Sequence, residues 1–123
     1  MRHDNMTTNF KRREFACKGA SCCGGASPIS PLLVALLQSV RTRVGWPVTV
    51  TSGFRCVTHN RRIPGAVDGS YHTLGWAADI TCPRIRSTEL YTACLQEIAE
   101  AGYGYAIHYP EKNIVHVDIR NYF

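Results

Sequence analysis

The first helical pattern in the chain lies in "PLLVALLQSVRTRVG". Its apolar residues recur three or four positions apart, so that a helix presents them on one face. Ser30 followed by Pro31 is typical of a helix start, and Gly45 is typical of a helix end. The pattern therefore predicts an amphipathic helix whose apolar face comprises Leu32, Leu33, Leu36, Leu37 and Val40.

A second helical pattern occupies "TELYTACLQEIAEAG". Ser87 precedes it as a predicted N-cap, and Gly102 is predicted to end it. The residues expected to face inward are Leu90, Cys94, Leu95 and Ile98. The chain thus carries one helix in each half.

Alternating apolar and polar positions predict strands in "PVTVTSGF", "WAADITC", "YGYAIHY" and "NIVHVDIRNYF". The last two are expected to form a hairpin around "PEK". In "WAADITC", Asp79 and Ala77 occupy the face opposite the apolar residues. In the last strand, Val115, Val117 and Ile119 share one face, and the other face carries Ile114, His116, Asp118 and Arg120.

Two stretches lack such patterns. Residues 1–29 include the Gly-, Ser- and Cys-rich "CKGASCCGGASP" and are expected to be irregular. Residues 55–75 are predicted to form a long loop, and long loops in compact domains are usually functional. The order of elements indicates one α+β domain over residues 1–123, with a small antiparallel sheet flanked by helices.

Composition narrows the class of protein. With 45% hydrophobic and 19% charged residues, the 123-residue chain is expected to fold around a core. The formal charge of +5 suits an anionic partner, either nucleic acid or a cell-wall polymer. The basic residues are scattered rather than gathered in a stripe with aromatics, which argues against a nucleic-acid module.

The chain shows neither a membrane span nor a secretory leader in its sequence pattern. The longest apolar run, "PLLVALL", is far shorter than the ~20 residues that cross a bilayer. The segment "MRHDNMTTNFKRREF" has no apolar stretch of the kind that signal peptides contain. We expect synthesis in a cytoplasm, export by another route if export occurs, and a monomer.

The chain contains six cysteines: Cys17, Cys22, Cys23, Cys56, Cys82 and Cys94. An even number permits disulfides, but without a secretory signal free thiols are the default expectation. The spacing C-x4-C-C differs from the paired C-x2-C of structural zinc sites. Free thiols are therefore favoured, with disulfides, a second metal site, or a redox or zinc-storage role for "CKGASCC" as alternatives.

Two histidines and a carboxylate are the candidate chemistry of the chain. Asp79 and His116 lie on the polar faces of two predicted strands, and His72 comes just before the first of these strands. If the polar faces point the same way, the three side chains converge as a set of ligands suited to Zn²⁺. Three protein ligands leave a fourth position for water, which is the arrangement of a catalytic site.

The motif S-x-H-x-x-G-x-A-x-D is matched by Ser70, His72, Gly75, Ala77 and Asp79. Together with "TSGFRC", "HN" and "VHVDIR", it resembles the zinc D-alanyl-D-alanine carboxypeptidase family, whose fold is shared with the hedgehog signalling domain. The resemblance extends over roughly residues 10 to 120. It implies a peptidase that hydrolyses an amide bond with metal-activated water.

The resemblance also implies roles for individual residues. His72, Asp79 and His116 match the three zinc ligands. Arg55 matches an arginine that binds a substrate carboxylate or the developing oxyanion, a task suited to the guanidinium fork. Ser70 is expected to hydrogen-bond near the ligand loop or to the substrate.

The general base is less clear, because relatives place an acid three residues before the third ligand and this chain has Asn113 there. Asp118, which follows His116 on the same strand face, is the preferred catalytic base. Glu111 and His108 are weaker candidates. In another register Asp118 would be the ligand and His116 the acid–base group, but imidazole is the commoner metal ligand.

The substrate implied by the resemblance is a peptidoglycan stem peptide, cut either as a carboxypeptidase or as an endopeptidase. A small catalytic domain of this kind fits a phage or prophage endolysin or tail-associated enzyme, and equally a bacterial protein that acts on the cell wall. The alternative from another class is a zinc-binding module of hedgehog-like fold without turnover, which the missing acid at Asn113 favours.

Overall fold

The computed structural model describes residues 4–19 and 22–120 and confirms the α+β class. The described helices are α1 (Pro31–Val44), α2 (Val57–Arg62) and α3 (Ser87–Ala101). The described strands are β1 (Thr49–Ser52), β2 (Ala77–Thr81), β3 (Tyr105–Tyr109) and β4 (Ile114–Asp118). Short 3-10 turns occupy Arg12–Phe15, Tyr71–Leu74 and Pro110–Lys112.

The four strands form one antiparallel sheet in the order β1-β2-β4-β3. The pairing of β2 with β4 sets Asp79 opposite His116, and the pairing of β3 with β4 sets Ile107 opposite the same histidine. Because side chains alternate between the two faces of a strand, directly opposed residues point to the same side of the sheet. The register therefore brings the polar residues of β2 and β4 onto one face.

The hydrophobic core fills the other face. Val115, Val117 and Ile119 are fully buried there, which confirms the predicted alternation in the last strand. Helices α1 and α3 pack against each other and enclose the same core. In α1 the Ser30 hydroxyl accepts the Leu32 backbone N–H, and Gly45 ends the helix with φ 73°, as the sequence predicted.

In its described part, residues 4–19 and 22–29, the N-terminal segment is mostly irregular, with one 3-10 turn and an isolated bridge between Asn5 and Lys11, yet it contributes to the core. Phe10 and Phe15 are buried, and their ring centroids are 5.9 Å apart. The backbone N–H of Phe54 donates to the Phe15 carbonyl at 2.8 Å. The segment is thereby joined to the chain that follows β1, beside the predicted site residues.

Two expectations for secondary structure were wrong in part. The predicted loop of residues 55–75 contains α2, which begins after Cys56; its sequence "VTHNRR" has no apolar period that would announce a helix. Ser87 is the first residue of α3, and its N-cap is Arg86.

Leu95 was expected to face the core from α3, but it is 44% exposed, whereas Ala93 is buried. Leu90 and Cys94 define the buried stripe of the helix. The residue after Cys94 lies about 100° further around the helix, beyond the edge of that stripe.

Gly75 ends the 3-10 turn that carries His72, with φ 73°. A β-carbon at this position would lie 2.5 Å from the Pro28 carbonyl oxygen, so a side chain would not fit. This confirms the tight passage from loop to strand that the sequence indicated. Among the described residues, none of the helices has the length and apolar character needed to cross a membrane.

Candidate metal centre

The structure brings His72, Asp79 and His116 together. The Asp79 Oδ1 atom lies 3.3 Å from His72 Nε2 and 3.0 Å from His116 Nδ1. One ligand atom from each of the three residues lies within 4.8 Å of the other two. The convergence predicted from the two strand faces is therefore present.

Each residue is positioned by a different local feature. Asp79 and His116 are direct cross-strand neighbours on β2 and β4. His72 lies in the 3-10 turn that leads into β2, and the Ser70 hydroxyl accepts the His72 backbone N–H at 3.2 Å. Ser70 thus caps the turn that carries His72.

The outer nitrogen of each imidazole is already engaged. His72 Nδ1 is 2.8 Å from the Gly53 carbonyl oxygen, which can only accept, so Nδ1 is the protonated donor. His116 Nε2 is 2.7 Å from the Asp118 carboxylate. These partners leave His72 Nε2 and His116 Nδ1 to face Asp79, as in histidines that bind metals.

The electrostatics of the three groups are strongly coupled. Burial by itself raises the pKa of Asp79, but hydrogen bonds from His116 and His72 outweigh it and hold that pKa well below its usual range. Burial lowers the pKa of His116, but its bonds to Asp118 and Asp79 have the larger combined effect and raise it. The cluster therefore keeps Asp79 ionised and favours a positive charge at His116, between the carboxylates of Asp79 and Asp118.

This donor set fits zinc. Two imidazole nitrogens and one carboxylate oxygen converge, and with both imidazoles neutral their inner atoms carry lone pairs and no proton to share. A divalent cation satisfies all three at once, and zinc readily accepts nitrogen and oxygen ligands of this kind. The group lines an open cleft, so substrate and water can reach it.

Arg55 lies on the same side of the sheet. Its Nη2 atom is 3.3 Å from Asp79 Oδ2, and its Nε donates to the Ser52 hydroxyl at 3.0 Å. Its Nη1 donates to the Asn60 side chain at 3.3 Å, and Asn60 is itself buried and bonded to the Val67 carbonyl. Burial lowers the pKa of Arg55, and the Asp79 carboxylate partly offsets that effect. The guanidinium is thus fixed beside the ligand cluster.

Asp118 is fully buried and lies at the outer edge of the His116 ring. Its two oxygens accept His116 Nε2–H, the Arg120 backbone N–H and the Arg120 guanidinium, at 2.7 to 3.1 Å. Burial by itself raises the pKa of Asp118. The hydrogen bonds have the larger combined effect and lower the pKa to about 2. Arg120 in turn stacks on Tyr71 and Tyr105, with its guanidinium carbon 4.9 and 4.1 Å from their ring centroids.

The other proton-acceptor candidates lie elsewhere. His108 faces α3, where Nε2 is 2.9 Å from the Ser87 hydroxyl and the ring stacks on Tyr91. Glu111 is exposed in the turn between β3 and β4. Asn113 ends that turn in the left-handed conformation, with φ 55°, which asparagine tolerates better than most residues.

The cluster opens into a cleft of about 540 Å³. One wall is formed by residues 63–67 and 69–71, and the other by side chains of the β3–β4 hairpin, including Tyr109 and Lys112. Three cations line it: Arg55, Lys112 and Arg120. Among the described residues lining the cleft, Asp79 is the sole carboxylate, so the cleft favours an anionic ligand.

Sequence reasoning missed several supporting groups. The Gly53 carbonyl contacts His72 across 19 positions, and Asn60 contacts Arg55 across five. The quoted motifs contain both residues but do not indicate these contacts. Tyr109 and Lys112 reach the cleft through the hairpin. Arg120 had a signal, because it continues the polar face of "HVDIR".

A family model described as Peptidase M15 matches residues 8–118, which is most of the chain. The chain belongs to the peptidase M15 family. Peptidases of the M15 family are zinc-dependent metallopeptidases of the D-alanyl-D-alanine carboxypeptidase type, in accord with the resemblance noted in the sequence. The matched region of this M15 peptidase contains all three candidate ligands and Arg55. A comparison with curated proteins found no match.

Proposed function

We propose that this zinc peptidase hydrolyses an amide bond in peptidoglycan stem peptides and acts on the cell wall, as a D-alanyl-D-alanine carboxypeptidase or as an endopeptidase. The observation that carries the substrate class is the cationic cleft around the ligand cluster. Stem peptides are short and carry several carboxylates, including the terminal one. Such a chain matches a cleft with three cations on its walls.

His72, Asp79 and His116 would hold the zinc ion, which when bound supplies a Lewis acid that activates water and polarises the scissile carbonyl. Arg55 points at the same spot with its donors fixed by Ser52 and Asn60. Its role is to stabilise the developing oxyanion or to bind a substrate carboxylate. Ser70, which lines the cleft, is proposed to contact the substrate in addition to capping the ligand turn.

The geometry around Asp118 supports a positioning role in preference to direct proton transfer. Its oxygens are occupied by donors from His116 and Arg120, and it has no exposed surface. It would keep the proton of His116 on Nε2, so that Nδ1 is the ligating atom. Direct action as the catalytic base, which the sequence favoured, requires the carboxylate to leave these partners.

The test is digestion of purified peptidoglycan with zinc-loaded protein, followed by mass spectrometry of the fragments. We expect a new amine at one defined stem-peptide bond, which also names the bond. Asp79→Asn should abolish the release of this amine, because the amide is a weaker zinc ligand than the carboxylate and removes the negative charge that pairs with Arg55. Lys112→Ala should raise KM for the anionic peptide, whereas Arg13→Ala, which removes an exposed charge outside the cleft, should leave KM unchanged.

A second candidate is a zinc-binding wall module without turnover, and Asn113 favours it. In this structure Asn113 is suited to its left-handed turn, so its identity also has a local conformational explanation. No new amine from protein that retains zinc in the cluster, with wall binding intact, would establish this second function and exclude the first.

A further inference from the structure

Four of the six cysteines lie together outside the site described above. Cys17, Cys22 and Cys23 come from the N-terminal segment, and Cys56 caps α2 from the other side of the cluster. The Sγ–Sγ distances are 3.8 Å for Cys17–Cys22, 3.9 Å for Cys17–Cys56 and 3.8 Å for Cys22–Cys23. All four sulfur atoms lie within 4.8 Å of one another.

These distances are those of a tetrahedral thiolate site. Sulfurs placed ~2.3 Å from a central zinc ion form a regular tetrahedron with edges of about 3.8 Å. A disulfide needs sulfurs about 2.05 Å apart, and all four cysteines are free in this structure. Three of the six sulfur–sulfur distances match this edge, and the four sulfurs are grouped closely enough to surround one small cation.

The partial exposure of three of the four thiols separates this cluster from ordinary core cysteines. Cys22, Cys23 and Cys56 are only half-buried, so a bare cluster would be open to oxidants. The remaining two, Cys82 and Cys94, lie buried in the apolar core and belong to neither potential metal-binding group found among the described residues.

The chain around the cluster is shaped to bring the sulfurs together. The backbone N–H of His59 donates to Cys56 Sγ at 3.4 Å, a bond that stabilises a thiolate. The Cys17 N–H donates to the Ala26 carbonyl at 2.8 Å and closes the loop that contains the other two cysteines. A β-carbon on Gly19 would lie 2.6 Å from Cys22 Sγ, so only glycine permits this approach.

We propose that Cys17, Cys22, Cys23 and Cys56 bind a second zinc ion in a closed, structural site. Four protein ligands leave no open position, which distinguishes this site from the catalytic cluster of two histidines and one aspartate. The C-x4-C-C spacing hid the site in the sequence, because Cys56 lies 39 positions after Cys17 and joins the others only through the fold.

The position of the site indicates what it does. Cys56 follows Arg55 directly, and the preceding Gly53 carbonyl holds the ring of His72. A cation held by three N-terminal thiolates and Cys56 would fasten the N-terminal segment to this stretch. The second zinc would therefore stabilise the chain that positions both Arg55 and a ligand of the catalytic zinc.

The test counts zinc in protein purified without chelator, and it does not depend on activity. We expect two zinc ions per chain in the wild type and one in His116→Ala, which removes a catalytic ligand. Cys22→Ser with Cys23→Ser should also retain one, and Cys94→Ala, the core-cysteine control, should retain two. Replacing zinc by cobalt in His116→Ala should produce the near-ultraviolet thiolate-to-cobalt band and protect four thiols from alkylation.

The His116→Ala protein keeps the proposed site intact, so it decides the matter even if the double cysteine variant does not fold. One zinc in the wild type and none in His116→Ala, with the four thiols freely alkylated, would overturn the proposal. A mass showing disulfides among these cysteines in freshly purified protein would overturn it as well. Either result would overturn the second zinc site alone, because the peptidoglycan digestion by the wild-type protein tests the proposed peptidase function separately.

Discussion

Asp79 on β2 lies directly opposite His116 on β4, and its Oδ1 atom is 3.0 Å from His116 Nδ1. The other ring nitrogen of His116 is bonded to Asp118, so the imidazole lies between two carboxylates. One carboxylate faces the cleft, and the other is fully buried. This arrangement divides the site into a group that binds the metal and a group that holds the ligand in place.

Replacing Asp118 by Asn tests that division. The amide cannot hold His116 and Arg120 as the carboxylate does, so we expect zinc affinity to fall by about 10–100-fold, as for other partners of metal-bound histidines. If Asp118 only positions His116, kcat measured at saturating zinc should recover most of the wild-type value. A kcat that stays low with the zinc site fully occupied would identify Asp118 as the catalytic base.

Replacing Arg55 by Lys tests the guanidinium fork. Lysine keeps the charge but cannot reproduce the three bonds to Ser52, Asn60 and Asp79. We expect kcat/KM for the stem peptide to fall by about 10²–10³-fold, the range seen when one oxyanion donor is lost. The same exchange at Arg61, which is exposed on α2, is the matched control and should change kcat/KM little. Equal activity of the two variants would exclude a catalytic role for Arg55.

Acid should destabilise the metal-free protein partly through Asp118. Its folded pKa of about 2 lies below the usual value for aspartate, so the ionised form stabilises the fold above about pH 4, and this contribution is lost as the pH falls toward 2. We expect the loss to be about 2 kcal/mol. Chemical denaturation of chelator-treated protein between these pH values measures it.

Asp118→Asn should be less stable at neutral pH and should lose less stability on acidification. If the two proteins showed parallel pH profiles, the buried ion pair of Asp118 would not contribute to acid sensitivity.

Two leucines of α3 provide a matched test of the packing. Leu90 is fully buried, whereas Leu95 is 44% exposed, although the sequence predicted both to face the core. Leu90→Ala should lower the free energy of unfolding by about 2–5 kcal/mol. Leu95→Ala should lower it by less than about 1 kcal/mol. Similar losses from thermal or denaturant unfolding would show that the helix is rotated from the orientation described.

The sequence by itself determined the local features of this protein. The apolar spacing of α1, its cap at Ser30 and the alternation of Val115, Val117 and Ile119 are confirmed, because such patterns involve residues a few positions apart. The same alternation placed His116 and Asp118 on the polar face of β4. Periodicity misled at Leu95, at the edge of a helical stripe, and it missed α2, whose sequence has no apolar period.

The tertiary structure decided which of those local features meet. The pairing of β2 with β4 brings Asp79 to His116 across 37 positions, and the path after β1 brings Arg55 and the Gly53 carbonyl to the same place. The motif indicated which side chains converge, but not that Asp118 would be enclosed by its partners. Contacts of this kind follow from how the whole chain closes on itself, because every distant segment must fit the same core at once.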